Sequence, residues 1–284
     1  MPSMKSIKRR TKSVSATKKI MKAMNMVSAS KLQKATIQLN ATRPLFNEAS
    51  RIIGNLKYCA NTVENIFVKP PQAKQAENTA YIVITSDRGL CGSFNKNVAE
   101  KALSHMEKGK NEHVIAIGLK GRDYFRRRGK NILHSYAGIL ETAFYEDAVR
   151  IGGVLASLYT SGVVEEAYLA YTQFESTFAY VPRLVKILPI SIEPGAVNKD
   201  NEMKYEQDVN YFLDHAIPMY LSAFIYAALA ETLACEQAAR MMSMDSAVKN
   251  ASDIIDKLTR TYNRRRQAYI TQEISEIVRG ANIS

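Results

Sequence analysis

The sequence predicts an α/β protein in which two long terminal helices pair as an antiparallel coiled coil around an inserted α/β domain. Three observations carry this. Residues 219–284 hold no proline and one glycine, Gly280. Residues 1–53 hold no glycine, and proline only at Pro2 and Pro44. Nearly all of the thirteen glycines lie between, among alternating β-rich and helical runs. Inside a helix, glycine costs about 1 and proline about 3 kcal/mol relative to alanine, so stretches without them favour unbroken helix. The boundaries read as 1–58 for the first shaft helix, 79–195 for the globular part and 207–284 for the second shaft helix.

The first helix carries Ile7, Val14, Met21, Ser28 and Ala35 seven residues apart, with Thr17, Met24 and Leu32 or Leu39 at the intermediate positions. This is a somewhat polar heptad stripe. The second helix is cleaner: Met241, Met244, Val248, Ala251, Ile255, Leu258 and Tyr262 alternate steps of three and four. A period of 3.5 implies a left-handed supercoil with a partner helix, and the nearest candidate is the first helix of the same chain. Two amphipathic helices of an ordinary bundle are the alternative. Arg265 falls where the stripe calls for an apolar residue, so the partner helix is expected to end there and leave a single-helix tip facing another protein. Pro218 is expected to start the second helix or kink it.

Between the helices, Val68–Asn78 reads as a linker. Strands are expected at Tyr81–Thr85, Val114–Gly118, Ile132–Tyr136, Ala167–Thr172 and Arg183–Leu188. Helices are expected at Asn95–Lys108, Arg122–Arg128 and Glu141–Ser161, with an exposed loop at Asn198–Asp208. Alternating β and α units imply a mostly parallel sheet covered on both faces, the last pair adding an antiparallel edge.

Charge is segregated. The formal net charge of +12 resides in residues 1–58, which hold thirteen Lys/Arg and one acid, Glu48, while the remainder is balanced. Such an arm implies an anionic partner: nucleic acid, a membrane surface or an acidic protein. A basic DNA-reading helix forks from a parallel dimer, whereas here the heptads begin inside the basic segment, which favours an acidic protein over nucleic acid. The apolar run Ala216–Ala230 is interrupted by Pro218 and Ser222, shorter than the ~20 residues of a membrane span.

Chemistry-bearing motifs are sparse. Cys59, Cys91 and Cys235 are dispersed, which reads as a reduced, intracellular chain without a metal site. His105, His113, His134 and His215 are isolated, and neither HExxH nor GxSxG occurs. No catalytic constellation and no cofactor site is apparent. The turn Ser86–Gly92, with Asp87, Arg88, Gly89 and Gly92, lies between strand and helix, where α/β proteins bind phosphate. Its spacing fits no phosphate motif, and Asp87 would repel an anion. A tight turn needing glycine at positive φ is the structural alternative.

Four words in order resemble the gamma subunit of bacterial F-type ATP synthases: Lys18–Leu32 (KKIMKAMNMVSASKL), Ser86–Asn95 (SDRGLCGSFN), Glu236–Met241 (EQAARM) and Tyr262–Val278 (YNRRRQAYITQEISEIV). The resemblance implies a Rossmann-like head on a coiled-coil rotor stalk. The shaft would enter a ring of three alpha and three beta subunits, and the head would meet the epsilon subunit and the c-ring. Rotation driven by protons or sodium ions would reach the beta subunits, where ATP forms. By the same resemblance, Arg240, Gln267 and Thr271 match contacts to the beta catch loops, and Met24 matches a contact to the acidic beta lever. Arg266 and Glu273 match their neighbours. Ser93 and Pro218 depart from the family pattern. No extension precedes the match, which implies no targeting peptide and a peripheral place on the cytoplasmic side of a bacterial plasma membrane. A DNA-binding coiled coil and a nucleotide-binding α/β enzyme remain the other two functional classes.

Overall fold

Heptad spacing, interrupted by one mixed sheet, is what the computed structural model shows. It describes residues 3–55, 65–68, 77–106, 111–142, 144–190 and 209–281. The elements run α1 (Met4–Asn55), β1 (Asn78–Ile84), α2 (Phe94–Met106), β2 (Asn111–Ile117), α3 (Leu119–Arg126), β3 (Asn131–Tyr136), α4 (Ile139–Thr142), α5 (Tyr145–Thr160), β4 (Glu166–Ser176), β5 (Ala179–Leu188) and α6 (Val209–Ala281). The chain forms two compact units, residues 1–29 with 240–284, and residues 30–239.

The first unit is a helix pair. Asn25 meets Met241, Ile7 and Leu258 border one hollow, and Met4 and Thr261 border another, so the segments run antiparallel. The inward row on α6 is Met241, Met244, Val248, Ala251, Ile255, Leu258, Tyr262 and Arg265, all buried or half-buried. On α1 the row is Met4, Ile7, Thr11, Val14, Lys18, Met21, Asn25 and Ser28. Steps of three and four hold throughout both rows, as a left-handed pair requires. Thr17 is exposed, contrary to expectation; Thr11, Lys18 and Asn25 hold the second heptad position instead. Beyond Arg265 every residue of α6 through Arg279 is exposed, as expected of a tip that has outrun its partner.

In the second unit the sheet order is β3-β2-β1-β4-β5, parallel except for the antiparallel β4–β5 edge. Tyr81 and Val83 face a core with Val98, Ala102 and Met106 of α2 and Phe125 of α3. Ile82 and Ile84 point to the opposite face and are equally buried. Both faces are therefore covered, which is why the strands read as continuous apolar runs.

Within this unit α1 buries Leu32, Ala35, Leu39 and Ala49, and Phe46 packs on Phe224 of α6 at 5.2 Å. The α6 segment lies against β4: Thr172 N–H donates to Thr232 Oγ1 at 3.4 Å and Phe174 N–H to Glu231 Oε2 at 3.3 Å. Gly152 of α5 faces Ser222 closely; a Cβ there would stand 3.1 Å from its Oγ.

Three expectations need correction. The helix expected at Glu141–Ser161 is two, α4 and α5, with Phe144 extended between them as the cap of α5. Pro218 does not start α6, which begins at Val209; it lies inside the helix, and Ser222 Oγ donates to its carbonyl at 2.7 Å. The apolar part of α6 does meet the length and composition of a membrane span, yet Leu213, Ile217, Leu221, Ile225 and Leu229 are wholly buried in protein. Most of the expected linker Val68–Asn78, and the loop at Asn198–Asp208, lie outside the described residues.

Candidate functional site

The Ser86–Gly92 turn is built as a clamp. Asp87 Oδ1 accepts from Leu119 N–H at 3.0 Å, and Oδ2 accepts from Gly138 N–H at 2.9 Å. One carboxylate thus ties the loop after β2 to the loop after β3. Ser86 N–H donates to Asn95 Oδ1 at 2.8 Å, and Asn95 Nδ2 lies 2.7 Å from Ser86 Oγ and 3.2 Å from Cys91 Sγ. The α2 side is closed by Phe94 N–H donating to the Cys91 carbonyl.

The start of α3 is also occupied by its own chain. Leu119, Lys120 and Gly121 N–H groups go to Asp87, the Ser86 carbonyl and Thr85 Oγ1. Helix N-termini bind anions through free N–H groups, and these three are spent.

Of the two glycines in the turn, Gly92 has positive φ (60°), as the tight-turn alternative requires, but Gly89 does not; Leu90 takes the left-handed conformation at φ 65° instead. Arg88 points outward, its side chain 76% exposed and 3.2 Å from Glu141. Two glycines that sequence reasoning passed over matter more. A Cβ on Gly118 would stand 2.0 Å from the Thr85 carbonyl oxygen, and one on Gly121 2.6 Å from Thr85 Oγ1.

Cys91 and Phe94 pack with Cys235 and Ala239 of α6. Cys235 S–H faces the Thr172 carbonyl at 3.5 Å, and burial pushes its pKa far above the ordinary thiol value. Such a thiol is inert as a nucleophile. Burial also raises the Glu231 carboxyl, against the Phe174 N–H bond and the Arg43 charge that lower it.

The shaft residues singled out by sequence separate into two groups. Met24 and Arg240 adjoin Asn25 and Met241, whose side chain and carbonyl are bonded at 2.8 Å. Met24 is half-buried, and Arg240 is buried at 8% exposure and engaged by its own chain. Gln267 and Thr271 stand together one turn apart, Thr271 Oγ1 donating to the Gln267 carbonyl at 2.9 Å, and both are exposed. They lie about 40 Å along α6 from Arg240 at about 1.5 Å per residue.

Around Met24, α1 is inverted. Lys18 and Asn25 face inward, whereas Ile20, Met26 and Val27 are 62%, 65% and 56% exposed. Lys19 and Lys22 flank them on the exposed side. An apolar row with a cationic rim suits a partner that brings apolar side chains and carboxylates. Farther along, Tyr269, Ile270, Ile274, Ile277 and Val278 leave the tip of α6 similarly apolar and exposed.

A family model described as ATP synthase matches residues 3–283. The ATP synthase gamma chain of Alkaliphilus metalliredigens is 42% identical across 98% of this chain and 97% of its own length. The chain belongs to the ATP synthase gamma-chain family. A gamma chain from Pelotomaculum thermopropionicum is 40% identical over 99% of both chains. One from Acetobacterium woodii, described as sodium ion specific, is 37% identical over 97% of this chain and 96% of its own. Among solved structures, a chain of the Euglena gracilis mitochondrial ATP synthase OSCP/F1/c-ring assembly superposes with a TM-score of 0.67 at 17% identity, covering 97% of this chain and 92% of that one. A chain of the Tetrahymena thermophila mitochondrial central stalk and c-ring gives 0.62 at 23% identity, covering 80% and 99%. These two bear on the gamma fold alone.

Proposed function

We propose that this gamma-family chain is the central rotor stalk of a bacterial F-type ATP synthase. It would carry the rotation of an ion-driven c-ring to catalytic beta subunits and would itself be non-catalytic, without cofactor or metal. The observation that carries this is a partial inversion of α1: beside Met21 and Met24 the helix pair turns Lys18 and Asn25 inward and leaves Ile20, Met26 and Val27 outside. A helix pair stabilising only itself gains by the opposite arrangement, since burying each such side chain stabilises by about 1.5–3 kcal/mol.

In this account three alpha and three beta subunits surround the helix pair. Met24 meets the acidic lever of a beta subunit; Arg240, Gln267 and Thr271 meet catch loops. The head, whose 86–92 turn is fixed by Asp87 with Arg88 outward, meets the epsilon subunit and the c-ring. The chain sits peripherally on the cytoplasmic side of a bacterial plasma membrane. A rotor can drive its surroundings only through differences in binding free energy between their states. An asymmetric shaft supplies them by presenting a cationic, apolar face in one direction at a time.

The test is native purification of the tagged chain followed by ATPase assay. Recovery of a ring of two further subunit types with ATP hydrolysis is expected; Gln267→Ala, on an exposed position, should lower turnover while leaving the isolated chain's melting unchanged, and Arg240→Ala should lower turnover in complexes that still assemble. Unaltered turnover in both variants would overturn the catch-loop assignment. Recovery of nucleic acid, or of the chain alone, would overturn the rotor assignment.

A further inference from the structure

We propose that the open edge of β3 is an assembly site, extended by a β-strand from an acidic segment of another subunit. The two edges of the sheet differ in how they are protected. The β5 edge carries Pro182, which has no N–H to offer, and the charged Arg183 and Lys186. These are the devices by which natural sheets discourage strand addition. The β3 strand, Asn131-Ile132-Leu133-His134-Ser135-Tyr136, holds no proline, lysine or acid. Among the described residues it pairs with β2 alone. Leu133 is skipped in that pairing, a bulge that bends the strand, but His134–Tyr136 continue in register with Ile115–Ile117. Asn131, His134 and Ser135 are exposed. Among the described residues no backbone hydrogen bond from another element reaches residues 131–135 apart from the β2 ladder. Alternate N–H and C=O groups of an edge strand face outward, and an extended peptide can satisfy them.

Charge selects the occupant. Six cations, Lys120, Arg122, Arg126, Arg127, Arg128 and Lys130, lie in the segment leading into β3, against one acid, Asp123. Arg122 and Arg126 share Asp123, Lys130 pairs with Glu112, and Arg128 stacks over the Tyr124 ring at 3.6 Å. Arg126, Arg127 and Arg128 are nonetheless exposed at the head of the strand. A second copy of this chain would bring the same arginines, and like charges oppose its docking. An acidic extended segment satisfies both the edge and the arginines.

The experiment is hydrogen exchange on the full chain, alone and in the complex with which it purifies. Peptides spanning 131–136 should exchange about tenfold or more slowly in the complex, with those spanning β5 little changed. Single prolines at Ile132, Leu133, His134 and Ser135 complete it. At least one should leave the melting temperature of the isolated chain unchanged and yet abolish the protection, because its N–H faced the open side. Arg127→Glu with Arg128→Glu should reduce the protection without altering the fold. The inference rests on the rotor reading only in requiring an assembly. Active complex with unprotected β3 would overturn the edge site and leave the rotor standing. Protection that appears in the isolated chain as its concentration rises would point to self-association and overturn the acidic partner. Recovery of the chain with no partner would overturn both.

Discussion

Asn25 and Met241 are bonded across the helix pair, the amide of one donating to the backbone carbonyl of the other at 2.8 Å. Asn25 occupies an inward heptad position, where a leucine would bury more apolar area. A polar residue at such a position fixes register at a cost in stability. Asn25→Ala is expected to destabilise the isolated chain by about 1 kcal/mol, the usual net value of one hydrogen bond. Asn25→Leu is expected to raise the melting temperature while loosening register. Thermal unfolding reads the first pair of effects. Crosslinking yield between cysteines placed at Ile7 and Leu258 reads the register.

Gly118 and Gly129 both have positive φ, at 94° and 68°, but only Gly118 is crowded. Gly129→Ala should cost about 1 kcal/mol, the strain of a left-handed backbone alone. Gly118→Ala forces a methyl against the Thr85 carbonyl and should cost about 3 kcal/mol or more. Urea unfolding of the two variants checks the ratio; equal losses would contradict the close approach of β1 to the start of α3.

Asp87 serves two N–H groups, on Leu119 and Gly138. Asp87→Ala leaves both to find water or go unpaired and should cost about 2 kcal/mol. Asp87→Asn keeps one oxygen acceptor and should cost less. Millimolar ATP should not shift the melting temperature of the isolated chain, because the Asp87 carboxylate stands in the 86–92 turn and Phe94 N–H, the first of α2, already goes to the Cys91 carbonyl. A reproducible rise would restore the nucleotide-binding alternative.

Glu231 has its carboxyl pKa raised from 4.5, first by burial. A raised folded-state value means that the native chain binds the proton more readily than the unfolded chain does. Stability is therefore fully present below the unfolded value and falls as pH rises through the folded one. Glu231→Gln, which can still accept from Phe174 N–H, should be more stable than the parent at neutral pH. The difference should shrink as pH falls toward 4.5. Melting curves across that range decide it; a gap that widens in acid would contradict the sign.

The sequence pattern carried the fold far because its two periods are physical. The 3.5 spacing of Met241 through Tyr262 recurs as the inward row of α6, and the apolar run Tyr81–Ile84 is a central strand. What pattern could not rank were positions where polar residues stand inside. Thr17 fits an intermediate heptad position by spacing, yet the seven-residue series Thr11, Lys18, Asn25 holds that position. The turn's job was half legible: Gly92 turns as expected, but the left-handed residue before it is Leu90, and the long-range Asp87 bonds join loops 32 and 51 residues away. Local spacing carries no signal for those. The break before α5 falls at Phe144, which no helix-breaking residue marks.

Rotation is the most direct measurement. A bead would be linked to a cysteine introduced at Lys101, exposed on α2, with Cys59 replaced by serine, in the complex immobilised through its ring. The rotor account predicts stepwise, one-directional rotation of the bead that starts with ATP and slows in the Arg240→Ala and Gln267→Ala variants. Vigorous ATP hydrolysis with a stationary bead, in complexes that retain this chain, would contradict it.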